Sequence, residues 1–234
     1  MTPHSPLGAY VDLVFCVDVS PSMSTYLPEV RRQIIRWVTE IPIRAANKDI
    51  PIEITRIRIV PFTSGRTQPV ATDFFVPGIG EGRLRGRALS TIRSLEKQIE
   101  DATRVAATSP GLPQALDALE RAMHSDWSRL KGKCRHVIVL LTDTAADMST
   151  SAGWSGSGSS QTPLDHVTDL WEEGVNTSMR RGSSFLVLLA PDVDPWNAIG
   201  DAWTRTVFLP SNAGDGLSEV EYDTILEVIV NSWI

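Results

Sequence analysis

Two cysteines in 234 residues are too few for a disulfide framework. Cys16 and Cys134 both sit inside apolar, strand-like runs, so they read as small core residues of a reducing compartment and not as a zinc site. The cytosol is the expected setting. No run of 18 apolar residues exists to cross a membrane, and the opening "MTPHSPLGAY" lacks a basic-then-apolar leader pattern. Nor is there a long basic run. The 22 Lys and Arg face 28 Asp and Glu, a net charge of −6, which argues against nucleic-acid or anionic-membrane partners. There is no internal repeat, no G-x-S-x-G nucleophile elbow and no G-x-x-x-x-G-K-[ST] phosphate loop. "PGIGEGRLRG" has the glycines but follows an edge-like strand, out of strand–turn–helix context.

What remains is ordinary for a globular chain: 42% hydrophobic and 21% charged residues, at a length that suits one large domain over 1–234. Apolar runs of strand length alternate with helical periods. "VDLVFCVDV" reads as a central strand apolar on both faces. Leu27, Val30, Ile34, Val38 and Ile41 then repeat at helical steps. "PIEITRIRIVPFTS" alternates Ile with Arg56 and Arg58, which predicts a strand with one wetter face, and "DFFVPG" a short edge strand. Helices are expected over 86–100 and 112–127. Strands are expected in "CRHVIVLLTDT", "SSFLVLLAPD" and "TRTVFLPS", with a closing helix in "LSEVEYDTILEVIVNSWI". The alternation predicts an α/β fold: a doubly wound, mostly parallel sheet with helices on both faces. "STSAGWSGSGSSQT", 149–162, is rich in Gly and Ser without a period and predicts a mobile surface loop.

In such a sheet, sites form beyond the carboxyl ends of the strands, near the reversal of strand order. Asp18 and Asp143 each end a central-type strand. Ser20 and Ser22 follow Asp18 at alternate positions of an extended turn, so all three side chains can converge. A carboxylate with two hydroxyls is a hard, all-oxygen donor set suited to Mg²⁺ or Mn²⁺. The plainer alternative is that Asp18, Ser20 and Ser22 cap the following helix and that "TDT" is turn chemistry. Asp147 and Asp192 read as solvated loop acids, His124 and His136 as structural. Trp154, Trp196 and Trp203 fall in or near the rim loops by sequence, and Trp154 in its Gly/Ser loop is a candidate anchor for a partner.

"DVSPS" right after the first strand resembles the Asp-x-Ser-x-Ser motif of the von Willebrand factor A domain family, and "VIVLLTD" resembles the later strand whose terminal Asp completes the family's site. The resemblance implies a metal-ion-dependent adhesion site. Ser20 and Ser22 would bind the ion directly, Asp18 and Asp143 mostly through water, and a Glu or Asp carboxylate of a partner protein would fill the open position. A middle-loop Thr adds a contact in the family. Here "AATSPGLPQAL" stands in place of the usual "GGT" or "GNT" loop, and spacing puts Pro110 where that Thr is usual. Thr108 or Ser109 then serves, with Thr108 preferred by residue type. The short intracellular members it resembles belong to bacterial stress, tellurite-resistance-type or conflict systems. A binding module without enzymatic activity is therefore expected. The alternatives are a phosphohydrolase using the same metal and a metal-free scaffold. A haloacid-dehalogenase-like reading fails because Ser20 stands where the second acid is needed.

Overall fold

The computed structural model describes residues 9–50, 52–64, 70–77, 85–104, 112–127, 134–148, 162–173, 179, 183–211 and 222–231. In chain order the elements are β1 (Ala9–Asp18), a 3₁₀ turn (Pro21–Thr25), α1 (Leu27–Ala46), β2 (Ile52–Phe62), β3 (Thr72–Pro77) and α2 (Arg85–Ala102). Then follow α3 (Ala115–Met123), β4 (Cys134–Leu141), α4 (Pro163–Glu173), β5 (Ser184–Pro191), α5 (Trp196–Ala202), β6 (Thr206–Ser211) and α6 (Tyr222–Asn231). The strands form one sheet in the order β3-β2-β1-β4-β5-β6. Only β3 runs antiparallel, at the edge beside β2. The doubly wound, mostly parallel α/β sheet is as the alternation predicts.

β1 is central, so both of its faces are covered. Val11, Leu13, Phe15 and Val17 pack with α1, Ile99 of α2 and Ile225, Leu226 and Ile229 of α6. Phe15 stacks on Trp37 at 5.5 Å. Val14 and Cys16 face the other layer, built from α3, α4 and α5. Asp12 breaks the apolar reading of this strand. It is buried and pairs with Arg56 of β2, whose Nη2 lies 3.1 Å from Asp12 Oδ2. The wetter face expected of β2 is thus largely dry: Arg56 is buried and Arg58 half-buried.

The helix at 112–127 is shorter than expected, since Pro113 and Gln114 spend their backbone groups on the loops around them. Pro113 O accepts from Asp147 N at 3.0 Å, and Gln114 N donates to Thr63 O at 3.2 Å. α4 and α5 were not legible as helices, although α4 buries Val167, Leu170 and Trp171 at helical spacing. Residues 149–161 of the Gly/Ser stretch, Trp154 among them, lie outside the described residues. Its last residue, Thr162, caps α4 reciprocally: Thr162 N and Oγ1 donate to Asp165 Oδ2, and Asp165 N donates to Thr162 Oγ1.

Candidate functional site

Connections leave β1 and β4 toward opposite edges of the sheet, so the carboxyl ends of these neighbours flank the crevice where strand order reverses. Asp18 is the last residue of β1 and is fully buried. Its Oδ1 accepts from Ser20 N at 2.9 Å, and its Oδ2 accepts from Thr142 Oγ1 at 2.7 Å. The Ser20 and Ser22 hydroxyls meet at 3.0 Å, and Ser22 Oγ donates to Asp143 Oδ1 at 3.0 Å. Ser20 is buried, Asp143 half-buried and Ser22 exposed. A line of oxygens therefore runs from the β1 terminus to the solvent-facing rim.

The two serines do no capping. Ser20 precedes the 3₁₀ turn with φ −63° and ψ 158° but makes no side-chain cap bond, and α1 has no side-chain cap at Tyr26 either. The capping alternative thus fails for both hydroxyls. The Asp18 carboxylate, in contrast, serves the backbone amide of Ser20.

Burial pushes the Asp18 carboxyl up to about 6, against hydrogen bonds from Ser20 and Thr142 that pull it down, and the nearby Asp143 charge adds to the rise. Burial also raises Asp143, opposed by its bond from Ser22. Neither carboxylate forms an ion pair among the described residues. Two acids and two hydroxyls without a counter-cation are a donor set that fits a hard divalent ion.

Thr142 escaped sequence reasoning. A β-branched residue before a strand-end acid looks like one more strand position, yet its side chain is fully buried and holds Asp18. Thr142→Val is expected to lower stability by about 1.5–3 kcal/mol, the range for a hydrogen bond to a charged group. The loss should be larger at pH 8 than at pH 5, where Asp18 is mostly protonated; denaturant titration at the two pH values reads it. Thr142→Ser should recover most of the difference.

The surrounding loops are pinned to the same rim. Val19 N donates to Phe62 O at 2.9 Å, extending the β1–β2 pairing past Asp18. Trp196 Nε1 donates to Thr144 O at 2.9 Å and holds the turn after β4. Trp196 and Trp203 are buried, and Trp203 stacks on Trp171 at 5.6 Å. Both are core residues and not rim anchors. Thr108 and Ser109 lie outside the described residues; the chain re-enters at Leu112–Gln114, tied to Thr63 and Asp147 as above.

No family model matches the chain, and comparison with curated proteins finds no match. Solved structures do match. The pilus adhesin SpaC from Lactobacillus rhamnosus GG, in its open conformation, aligns over 98% of this chain and 31% of its own at 14% identity, with a TM-score of 0.57. A second structure of that adhesin gives 0.58 at 11% identity with the same coverage. The fold is von Willebrand A-like. The chain spans about a third of the adhesin's length. A looser likeness is to proximal thread matrix protein 1 from the mussel byssus, in a structure with a zinc-occupied MIDAS motif. There the TM-score is 0.49 at 15% identity, over 95% of this chain and 45% of the other. In this fold, Asp18, Ser20, Ser22 and Asp143 come together at the carboxyl ends of the two central strands.

Proposed function

We propose that the chain is a divalent-cation-dependent protein-interaction module. Asp18, Ser20, Ser22 and Asp143 would hold Mg²⁺ or Mn²⁺, which would offer positive charge to a Glu or Asp carboxylate of a partner protein. The observation that carries this reading is the run of Ser20, Ser22 and Asp143 oxygens at 3.0 Å steps, with both hydroxyls free of capping work. The protein's part is to pre-organise the donors. Asp18 fixes the Ser20 amide, Thr142 fixes Asp18, and the buried end of β1 resists relaxation. With the neutral serine hydroxyls as direct ligands and Asp18 and Asp143 acting mostly through water, much of the dication's charge would stay uncompensated, which favours an added acid over a neutral ligand. Binding without catalysis is part of the reading, and two buried cysteines not joined in a disulfide support an intracellular setting for it.

Acid should work in opposite directions on stability and on ion binding. The folded Asp18 holds its proton up to about 6, whereas the unfolded group titrates near 3.8. Between these values the native state binds more protons than the unfolded chain, so ion-free stability falls as pH rises through the window and levels off above it. Apparent Mg²⁺ affinity should instead rise with pH there, by up to about tenfold per unit, because the ion needs the carboxylate. Melting curves from pH 4.5 to 7.5, with and without Mg²⁺, check both slopes.

The direct functional experiment is affinity capture on the immobilised protein. Capture should occur in Mg²⁺, disappear with chelator and disappear with Asp18→Asn. Magnesium-dependent hydrolysis of a phosphate ester, lost in Asp18→Asn, would contradict the non-catalytic reading.

A further inference from the structure

A second polar cluster lies about 20 Å along β1 from Asp18, six residues at roughly 3.3 Å each. It sits beneath the α3 layer. In the sheet register Asp12 lies opposite His136 of β4 and Tyr10 opposite Cys134, so Asp12, Cys134 and His136 share one face. All three are buried, and a ligand atom from each falls within 4.8 Å of the others. His136 Nδ1 is 3.4 Å from Asp12 Oδ2. Neither ring nitrogen of His136 has a hydrogen-bond partner among the described residues. Trp127 closes over the imidazole edge-on, with ring centroids 4.8 Å apart.

A fully buried imidazole with Nε2 bare and Nδ1 only within ion-pair distance of Asp12, neither of them hydrogen-bonded among the described residues, is unfavourable. A hydrogen-bonded histidine would not be left in this state beside a carboxylate and a thiol. We infer that Asp12, Cys134 and His136 form a three-ligand site for a borderline-soft divalent cation of the zinc class, with a water in the fourth tetrahedral position. Thiolate, imidazole and carboxylate are the donors zinc takes, and a sulfur–nitrogen set selects against Mg²⁺. Bonds of about 2.0–2.1 Å to nitrogen and oxygen place two tetrahedral ligands roughly 3.3 Å apart, close to the observed His136–Asp12 separation. Arg56 stays paired with Asp12 and lies over the Trp127 ring at 6.0 Å, balancing the two anionic donors from outside the coordination sphere. Because the cluster is buried, the ion enters as the chain folds, and its binding energy adds to folding stability. This site is independent of the one at Asp18: the donor sets differ and no residue is shared.

Cobalt substitution tests it. The full chain, refolded with one equivalent of Co²⁺, should show the near-ultraviolet thiolate-to-cobalt charge-transfer band and the visible bands of a tetrahedral ion. Ser20→Ala with Ser22→Ala should keep the band, as should Cys16→Ala. Cys134→Ser should abolish it. In the double serine variant, chelator during refolding should also lower the melting temperature, and zinc but not magnesium should restore it. That arm stands if Cys134→Ser fails to fold. No charge-transfer band in the wild type, a band that survives Cys134→Ser, or melting indifferent to zinc in the double variant would each overturn the assignment.

Discussion

Replacing Ser20 and Ser22 together by alanine is expected to cost the ion-free protein about 1.5–3 kcal/mol through the hydrogen bonds lost to Asp18 and Asp143, a part that is the same at every magnesium level, and to remove its response to magnesium. Neither hydroxyl caps a helix, so the typical loss of about 1 kcal/mol for a missing cap does not apply. What disappears is the pair of neutral oxygens beside Asp18 and Asp143. At Mg²⁺ one hundred times the dissociation constant, the wild type should gain about 2.7 kcal/mol by mass action, and about 4.1 kcal/mol at a thousand times. For a domain of this size that corresponds to a rise in Tm of roughly 5–16 °C. The double variant should stay flat across the same series. A total loss relative to wild type that is no larger with magnesium than without it would mean that the serines serve the fold alone.

The second large effect concerns Arg56. Its guanidinium bonds Asp12 at 3.1 Å, donates to the Asp126 carbonyl and lies over Trp127. Arg56→Ala strands the Asp12 charge in a dry layer between strand and helix. Breaking a buried pair in this way typically destabilises by about 3–5 kcal/mol. In chelator at pH 7, Tm should therefore fall by roughly 6–20 °C. Replacing both partners, with Arg56→Met and Asp12→Leu, should recover most of the loss, since well-packed apolar residues substitute for buried ion pairs with little penalty. A single variant within about 1 kcal/mol of wild type would show that Asp12 is solvated or neutral in the native state.

These two sites were unequally visible in the sequence. Asp18, Ser20 and Ser22 were legible because a strand-end position and a two-residue spacing are local properties, and Asp143 because it ends a second buried run. The α/β alternation was legible for the same reason. Thr142 was not, because its role depends on β4 lying beside β1, a pairing across 124 residues. Arg56 and Asp12 misled in a complementary way. An Arg alternating with Ile reads as a wet face, and one Asp in an apolar run reads as noise, until register sets them opposite each other. His136 and Cys134 likewise join Asp12 only through that register. α4 followed a Gly/Ser-rich stretch that masked its start, and the seven-residue α5 is too short for a period to show.

Manganese titration followed by the electron paramagnetic resonance signal of the free ion tests the central claim most directly. In the presence of equimolar zinc to occupy sulfur- and nitrogen-containing sites, the wild type should bind one equivalent of Mn²⁺. Magnesium should displace it, and both Asp18→Asn and the double serine variant should leave the manganese free. Wild-type protein that binds no manganese up to millimolar concentration, or variants that bind it as well as the parent, would contradict a cation site at Asp18, Ser20, Ser22 and Asp143.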